Sequence, residues 1–274
     1  MKEIAVLEGI GLHTGAKAKV RIRPAESGSG IVFRAKGEEG WVEFPASPKW
    51  VLDTRRRVVL GKDGSRVETV EHLLGVCAGL GLTDAVIEVE GPEIPSGDGS
   101  GLFIAQALLE AGLKELDDPQ PILRVSHRLC SEEGNAWIAI RPADRLRIRY
   151  TFVRSGHRIV GLQTATFTDG DDFLSEIAPA RTFGFLEEIK DLWSQGLGLG
   201  GSLENALVVG PDGYLTEPRF PNELARHKIL DIMGDLSLLG SKVIGEIEGY
   251  GSGHSLHWRL CQSIRSAAVQ EDEG

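Results

Sequence analysis

The sequence predicts an α+β fold, and three observations carry that prediction. Short runs alternate charged and apolar residues, as in Lys17-Ala18-Lys19-Val20-Arg21-Ile22-Arg23, which is the period-two signature of a half-buried strand. Two stretches, 69–80 and 223–239, carry apolar residues at helical spacing. The two halves also echo each other. Glu68 and His72 lead through Gly81 into Val86-Ile87-Glu88-Val89-Glu90-Gly91, as Glu223 and His227 lead through Gly240 into Val243-Ile244-Gly245-Glu246-Ile247-Glu248-Gly249. A duplication would make each half a sheet layered with helices, and the helices of the two halves could then pack face to face.

Taken in order, the opening is β-like and Pro24 closes its alternating strand. Ile31-Val32-Phe33 and Trp41-Val42-Glu43-Phe44 follow as short strands between Gly-rich turns. Residues 58–60 and 65–67 flank Gly61-Lys62-Asp63-Gly64, a hairpin signal. A helix is expected over 69–80, a strand over 85–89, and a second helix over 101–111 after the tight turn Ser96-Gly97-Asp98-Gly99-Ser100. The acidic, Pro-containing stretch 115–121 is the expected linker, dividing a first unit, 1–116, from a second, 122–265. The second unit is expected to hold strands at 137–140, 146–152, 206–209 and 243–248, with helices at 182–193 and 223–239. Residues 266–274 read as an acidic tail without regular structure.

Composition narrows the function. A chain of 274 residues allows two domains at ~150 residues each. With 26% charged and 41% hydrophobic residues it is ordinary globular sequence, not a disordered chain. No apolar run approaches the ~18 residues of a membrane span, and the N-terminus lacks the apolar core of a signal peptide. Cys77, Cys130 and Cys261 form no CxxC pair, which points to a reducing, cytoplasmic setting without a cysteine zinc site. A net charge of −10 offers no support for a nucleic-acid partner.

The strongest chemical signal is Arg226-His227-Lys228-Ile229-Leu230-Asp231-Ile232-Met233-Gly234-Asp235. His227, Asp231 and Asp235 fall at i, i+4 and i+8, on one stripe of a helix. A histidine and a carboxylate one turn apart can share a divalent ion; the alternative is a solvated face with an i,i+4 contact. On the first helix, Glu71, His72, Gly75 and Gly79 lie opposite the apolar stripe of Val70, Leu73, Leu74 and Cys77. Two glycines there weaken the helix by ~1 kcal/mol each relative to alanine, which is explained if another element approaches that face closely. The Glu71-His72 pair would set a base beside a metal ligand. His254 protrudes from the small-residue loop Gly251-Ser252-Gly253, with His257 its equal on spacing, and His13 sits in a similar Gly-flanked segment. His127 and His157 read as structural. Gly196-Leu197-Gly198-Leu199-Gly200-Gly201 lacks the features of a phosphate loop and reads instead as an oily wall suited to an acyl chain.

Six ordered motifs then resemble one family: Gly11-Leu12-His13-Thr14-Gly15, Thr69-Val70-Glu71-His72-Leu73, Asp98-Gly99-Ser100, Arg181-Thr182-Phe183-Gly184-Phe185, His227-Lys228-Ile229-Leu230-Asp231 and Gly253-His254-Ser255-Leu256. Over roughly residues 3–265 the chain is similar to the UDP-3-O-acyl-N-acetylglucosamine deacetylases, zinc amidases of lipid A biosynthesis. The resemblance implies two similar sheet-plus-helix repeats, the active site between them, and a small inserted unit in each. It implies one zinc ion per chain on His72, His227 and Asp231, with Glu71 as general base. His254 becomes the acid that protonates the leaving amine, Asp235 its hydrogen-bond partner, and Thr182 and Lys228 the oxyanion and substrate-orienting groups.

Leu12, Phe183, Phe185, Leu186, Ile189, Leu197, Leu199 and Leu203 become the expected contacts of an acylated UDP-amino sugar, handled by a monomer. Two departures stand out. Gly251 occupies a position where the family usually carries a basic residue, and the stretch 152–161 follows the family only loosely, so Arg154 or Arg158 would have to supply that charge. The rival functions are a deacetylase for another N-acetyl sugar and a non-catalytic binder of sugar nucleotide or lipid. Two histidines and a carboxylate also describe a non-haem iron site, so the residue types alone do not choose zinc.

Overall fold

In the computed structural model, which describes residues 1–157 and 159–272, both halves carry the same sheet. The first opens with β1 (Ala5–Ile10), β2 (Lys17–Pro24), β3 (Ile31–Gly37) and β4 (Gly40–Pro45). A small three-stranded unit follows, formed by β5 (Val51–Asp53), β6 (Val59–Leu60) and β7 (Val67–Glu68). Then come α1 (Val70–Leu80), β8 (Ala85–Glu90) and α2 (Leu102–Glu110). β8 inserts between β2 and β3, so the order is β1-β2-β8-β3-β4, with only the β3–β8 pair parallel.

The second half starts with β9 (Ile122–Arg124), β10 (Leu129–Glu133), β11 (Ala136–Arg141), β12 (Arg147–Val153), β13 (Leu162–Thr168) and the single turn α3 (Phe173–Glu176). Its small unit pairs β14 (Phe183–Phe185) with β15 (Leu207–Val209) around α4 (Ile189–Ser194). The chain ends with α5 (Glu223–Ser237), β16 (Lys242–Ile244), β17 (Glu246–Tyr250) and α6 (His254–Asp272). β17 inserts between β11 and β12, giving β10-β11-β17-β12-β13 with only β12–β17 parallel. Position by position this repeats the first sheet, so the echo in the sequence is a repeat in topology.

The alternation read in β2 is the observed one: Ala18, Val20 and Ile22 are buried while Lys17 and Pro24 are exposed. The helices differ from the amphipathic reading. α1 and α5 pack side by side, and the titratable side chains of their polar stripes, Glu71, His72, His227, Asp231 and Asp235, are no more than 9% exposed. Glycines permit the close crossing. A Cβ on Gly75 would lie 2.5 Å from the Leu230 carbonyl oxygen, and one on Gly234 would overlap the Glu71 carbonyl. The solvated-face alternative for both helices is thereby removed.

Three sequence expectations need correction. Residues 182–193 are not one helix: Phe183-Gly184-Phe185 is a strand, followed by a 3-10 turn (Leu186–Glu188) and then α4. The strand exists because it pairs with Leu207-Val208-Val209, a long-range partner no local pattern reveals. His254 is not in a loop but begins α6. That helix continues through Asp272, where an irregular tail was expected, while residues 273–274 and Arg158 lie outside the described residues. Among the described residues no helix is long and apolar enough to cross a membrane.

Candidate active site

The site forms where α1 and α5 cross. Thr69 precedes α1 in the left-handed conformation at φ 57°, an uncommon choice for a β-branched residue. Its hydroxyl donates to Glu93 Oε1 at 2.7 Å. The fully buried Glu93 also accepts from the backbone N–H groups of His13 at 2.9 Å and Thr14 at 2.8 Å. One carboxylate therefore pins both the entry to α1 and the Gly11–Gly15 turn. The sequence reading missed Glu93, since nothing local marks an acid whose partners are 24 and 80 residues away.

His72, His227 and Asp231 converge. The Nε2 atoms of both histidines lie 3.5 Å from Asp231 Oδ1, and that oxygen is buried with no hydrogen-bond partner. A tetrahedral ion bonded at ~2.0–2.1 Å would set its ligand atoms about 3.4 Å apart, so the spacing and the orphaned oxygen both fit a shared cation. His227 Nδ1 donates to the Ala180 carbonyl at 3.1 Å, which leaves the Nε2 lone pair for the ion. Burial pushes His227 down to about 4, keeping its ring neutral as ligation requires. Burial opposes charge on Asp231, yet Lys228 and His227 hold its carboxyl well below the ordinary range, and Lys228 Nζ bonds Oδ2 at 2.7 Å. His72 is raised despite burial, because Asp231 and Glu71 favour positive charge at this point.

Beside this cluster stand the acid–base candidates. Glu71 Oε2 accepts the Val58 N–H at 2.9 Å, which leaves Oε1 facing His254 Nε2 at 3.6 Å. Burial raises the Glu71 pKa, with His254 and His72 pulling the other way. His254 Nδ1 donates to Asp235 Oδ2 at 2.8 Å. Burial works against its charge, but Asp235 and Glu71 outweigh it and push the pKa up to about 9. The ring is therefore held as imidazolium near neutral pH, poised to give a proton. A second ring, His257, donates from Nδ1 to the same Asp235 oxygen at 2.7 Å. Sequence spacing had left it level with His254; i,i+3 on α6 puts both in the first turn facing α5.

These groups open into a cavity of about 730 Å³. Glu71, His72, His227, Asp231, His254, Thr182 and Lys228 line it, whereas Asp235 stands behind His254. Of the expected substrate contacts, Leu12, Phe183, Phe185, Leu186, Ile189 and Leu203 are on the wall. Leu197 and Leu199 are not among them: Leu197 is buried and Leu199 is 54% exposed. Their Gly-Leu segment still reaches the wall through Gly198 and Gly201, and it also forms a seam. Leu199 N donates to the His13 carbonyl and Gly200 N to that of Leu12, both at 3.0 Å, and a Cβ on Gly200 would overlap the Gly11 carbonyl. Leu192, Trp193, Val208 and Leu215 supply apolar wall that the sequence reading did not assign.

Gly251 has φ +58°, and a Cβ there would meet Val153 at 2.9 Å, so a long basic side chain does not fit this backbone. Arg154 does reach the cavity wall, where it pairs with Glu187 at 3.2 Å and with Glu188.

With this geometry in place, comparison with known proteins is specific. Residues 1–266 match the family model described as UDP-3-O-acyl N-acetylglycosamine deacetylase. The UDP-3-O-acyl-N-acetylglucosamine deacetylase of Myxococcus xanthus is 41% identical over 273 residues, covering 97% of this chain and 85% of that protein. The enzyme of the same name from Actinobacillus succinogenes is 40% identical over 270 residues (96% and 88%), and that from Syntrophotalea carbinolica is 39% identical over 265 residues (96% and 85%).

Proposed function

The chain belongs to the UDP-3-O-acyl-N-acetylglucosamine deacetylase family, and from that premise we infer the reaction its site performs. It hydrolyses the N-acetyl group of UDP-3-O-acyl-N-acetylglucosamine, releasing acetate, in lipid A biosynthesis. The observation that carries this reading is the orphaned Asp231 Oδ1 facing two Nε2 atoms, with an acid–base pair 3.6 Å apart alongside. A simple binder has no use for that set.

We assign one zinc ion to His72, His227 and Asp231, because two imidazoles and one carboxylate beside a buried glutamate suit a hydrolytic site. When bound, zinc supplies Lewis acidity, lowering the pKa of the attacking water and polarising the acetyl carbonyl. Glu71, fixed by Val58 N–H, takes a proton from that water through Oε1. Water oxygen bonds to the acyl carbon, and the C–N bond breaks as His254 Nε2 gives its proton to the amine. Asp235 holds the imidazolium in place throughout. Thr182 and Lys228, both on the cavity wall, orient the substrate at the oxyanion side. The acyl chain runs along Phe183, Phe185, Ile189 and Leu203, joined by Leu192 and Val208. Arg154 faces the diphosphate. All these groups come from one chain, which is compatible with the monomer proposed as the working unit, and three free thiols suit a reducing cytoplasm.

The test is acetate release from the acylated sugar nucleotide, abolished by chelator and restored by zinc. Equal turnover of UDP-N-acetylglucosamine without its acyl chain would remove the substrate assignment, and no release at all would favour a binder.

A further inference from the structure

Asp235 carries two imidazoles on one oxygen. His254 Nδ1 lies 2.8 Å and His257 Nδ1 2.7 Å from Oδ2, while Oδ1 is buried without a partner. A carboxylate oxygen only accepts, so both Nδ1 atoms carry protons. The separations are those of direct charge-assisted hydrogen bonds, too short for an ion bonded at ~2.0–2.1 Å to stand between donor atoms. The cluster is thus a hydrogen-bonded assembly rather than a second metal site.

His257 has its other nitrogen occupied as well. Nε2 lies 3.0 Å from the Ser252 hydroxyl, and the Ser252 carbonyl accepts from Tyr150 Oη at 2.6 Å. Burial lowers the His257 pKa, so the ring is neutral, with one donor and one acceptor nitrogen. Ser252 donating to Nε2 fixes the proton on Nδ1, where Asp235 takes it. Tyr150, Ser252, Asp235, His254 and His257 are all buried.

We propose that His257 is a positioning residue for the reaction: its Nδ1–H, locked by Ser252, is the second donor that fixes the Asp235 carboxylate so that His254 Nε2 faces Glu71 and the substrate. One donor on Oδ2 sets a distance but leaves the carboxylate free to turn. Two donors three residues apart on one helix turn set its torsion too. His257 itself is absent from the cavity wall, so it acts through Asp235 and not on the substrate.

The inference rests on the deacetylase reading, and its test separates the two. An asparagine Nδ2 stands near the place of histidine Nδ1, whereas a glutamine Nε2 stands near histidine Nε2. His257→Asn should keep kcat within about threefold of wild type, and His257→Gln should lower kcat about 10- to 100-fold with KM within about twofold, the scale of a lost supporting hydrogen bond. Metal content should be the same in both. Nitrogen-15 histidine spectra of the wild-type protein supply a readout independent of turnover and of any variant's folding: His257 should be the Nδ1–H tautomer. An Nε2–H tautomer, equal kcat in the two variants, or a glutamine defect that appears in KM or metal content would overturn the proposal. If wild-type protein releases no acetate, the deacetylase reading fails instead, whatever the tautomer.

Discussion

His72, His227 and Asp231 make one cluster of two histidines and an aspartate; His254, His257 and Asp235 make another, one turn along α5. By residue type they are the same. Their spacing makes them opposites. In the first, the donor atoms stand 3.5 Å apart around an oxygen with no partner. In the second, the atoms are 2.7 and 2.8 Å apart and share protons. Half an ångström or more separates a place for a cation from a place for a proton. Electrostatics differ ring by ring. In the first cluster burial holds His227 neutral at about 4 while Asp231 and Glu71 raise His72. In the second, Asp235 and Glu71 raise His254 to about 9 while burial lowers His257. On the proposed reading, His227 keeps a lone pair free and His254 keeps a proton ready, the division of labour amide hydrolysis needs.

The largest effect should come from emptying the first cluster. Asp231→Ala should cut kcat/KM by about 10³-fold or more, because Lewis-acid stabilisation supplies several kcal/mol. Added zinc should not restore it.

Next comes the second cluster. His254→Ala should lower kcat about 10²- to 10⁴-fold as a lost general acid. The pH profile sharpens the point. A raised pKa means the imidazolium persists below about 9 and is lost above, so activity should fall as pH rises through that region. Asp235→Asn removes the main group raising it, so the falling limb should move to lower pH. A limb that stays put in that variant would assign it to another group.

A smaller effect tests how the clusters are brought together. Gly234→Ala forces a methyl into the Glu71 carbonyl, and overpacking of this kind costs about 1–3 kcal/mol. Thermal unfolding should show the loss, and residual activity should fall in step. Unchanged stability would mean that α1 and α5 do not cross this closely. Smallest, the apolar wall should set chain length. Leu192→Trp should penalise the long acyl chain by about 1.6 kcal/mol if two methylenes lose contact, while Leu199→Trp, away from the wall, should leave the long-to-short ratio unchanged.

The parts of the site legible in the sequence were those fixed by helical period. His227, Asp231 and Asp235 at i, i+4 and i+8 needed only one turn of geometry, and Gly75 announced a close neighbour without naming it. The repeat was legible too, because both halves place a histidine-bearing helix before an inserted central strand. What escaped depended on distant partners. Phe183-Gly184-Phe185 is a strand only because Leu207-Val208-Val209 lies beside it. His257 looked like any other histidine because Gly251-Ser252-Gly253 reads as loop, which hid the start of α6 and so the shared face with His254. Leu197 and Leu199 are not on the cavity wall although Gly198 and Gly201 beside them are, because part of this glycine-rich segment is spent on approaching the Gly11–Gly15 turn.

The claim at the centre is that two like clusters differ in what they hold, and metal stoichiometry in single variants tests it most directly. Purified wild-type, His227→Ala and His254→Ala proteins, each loaded with zinc and freed of loose metal, should be assayed for bound ion by elemental analysis. The expected result is about one ion per chain in wild type and in His254→Ala, and close to none in folded His227→Ala. Metal retained in folded His227→Ala, or lost from folded His254→Ala, would contradict the account.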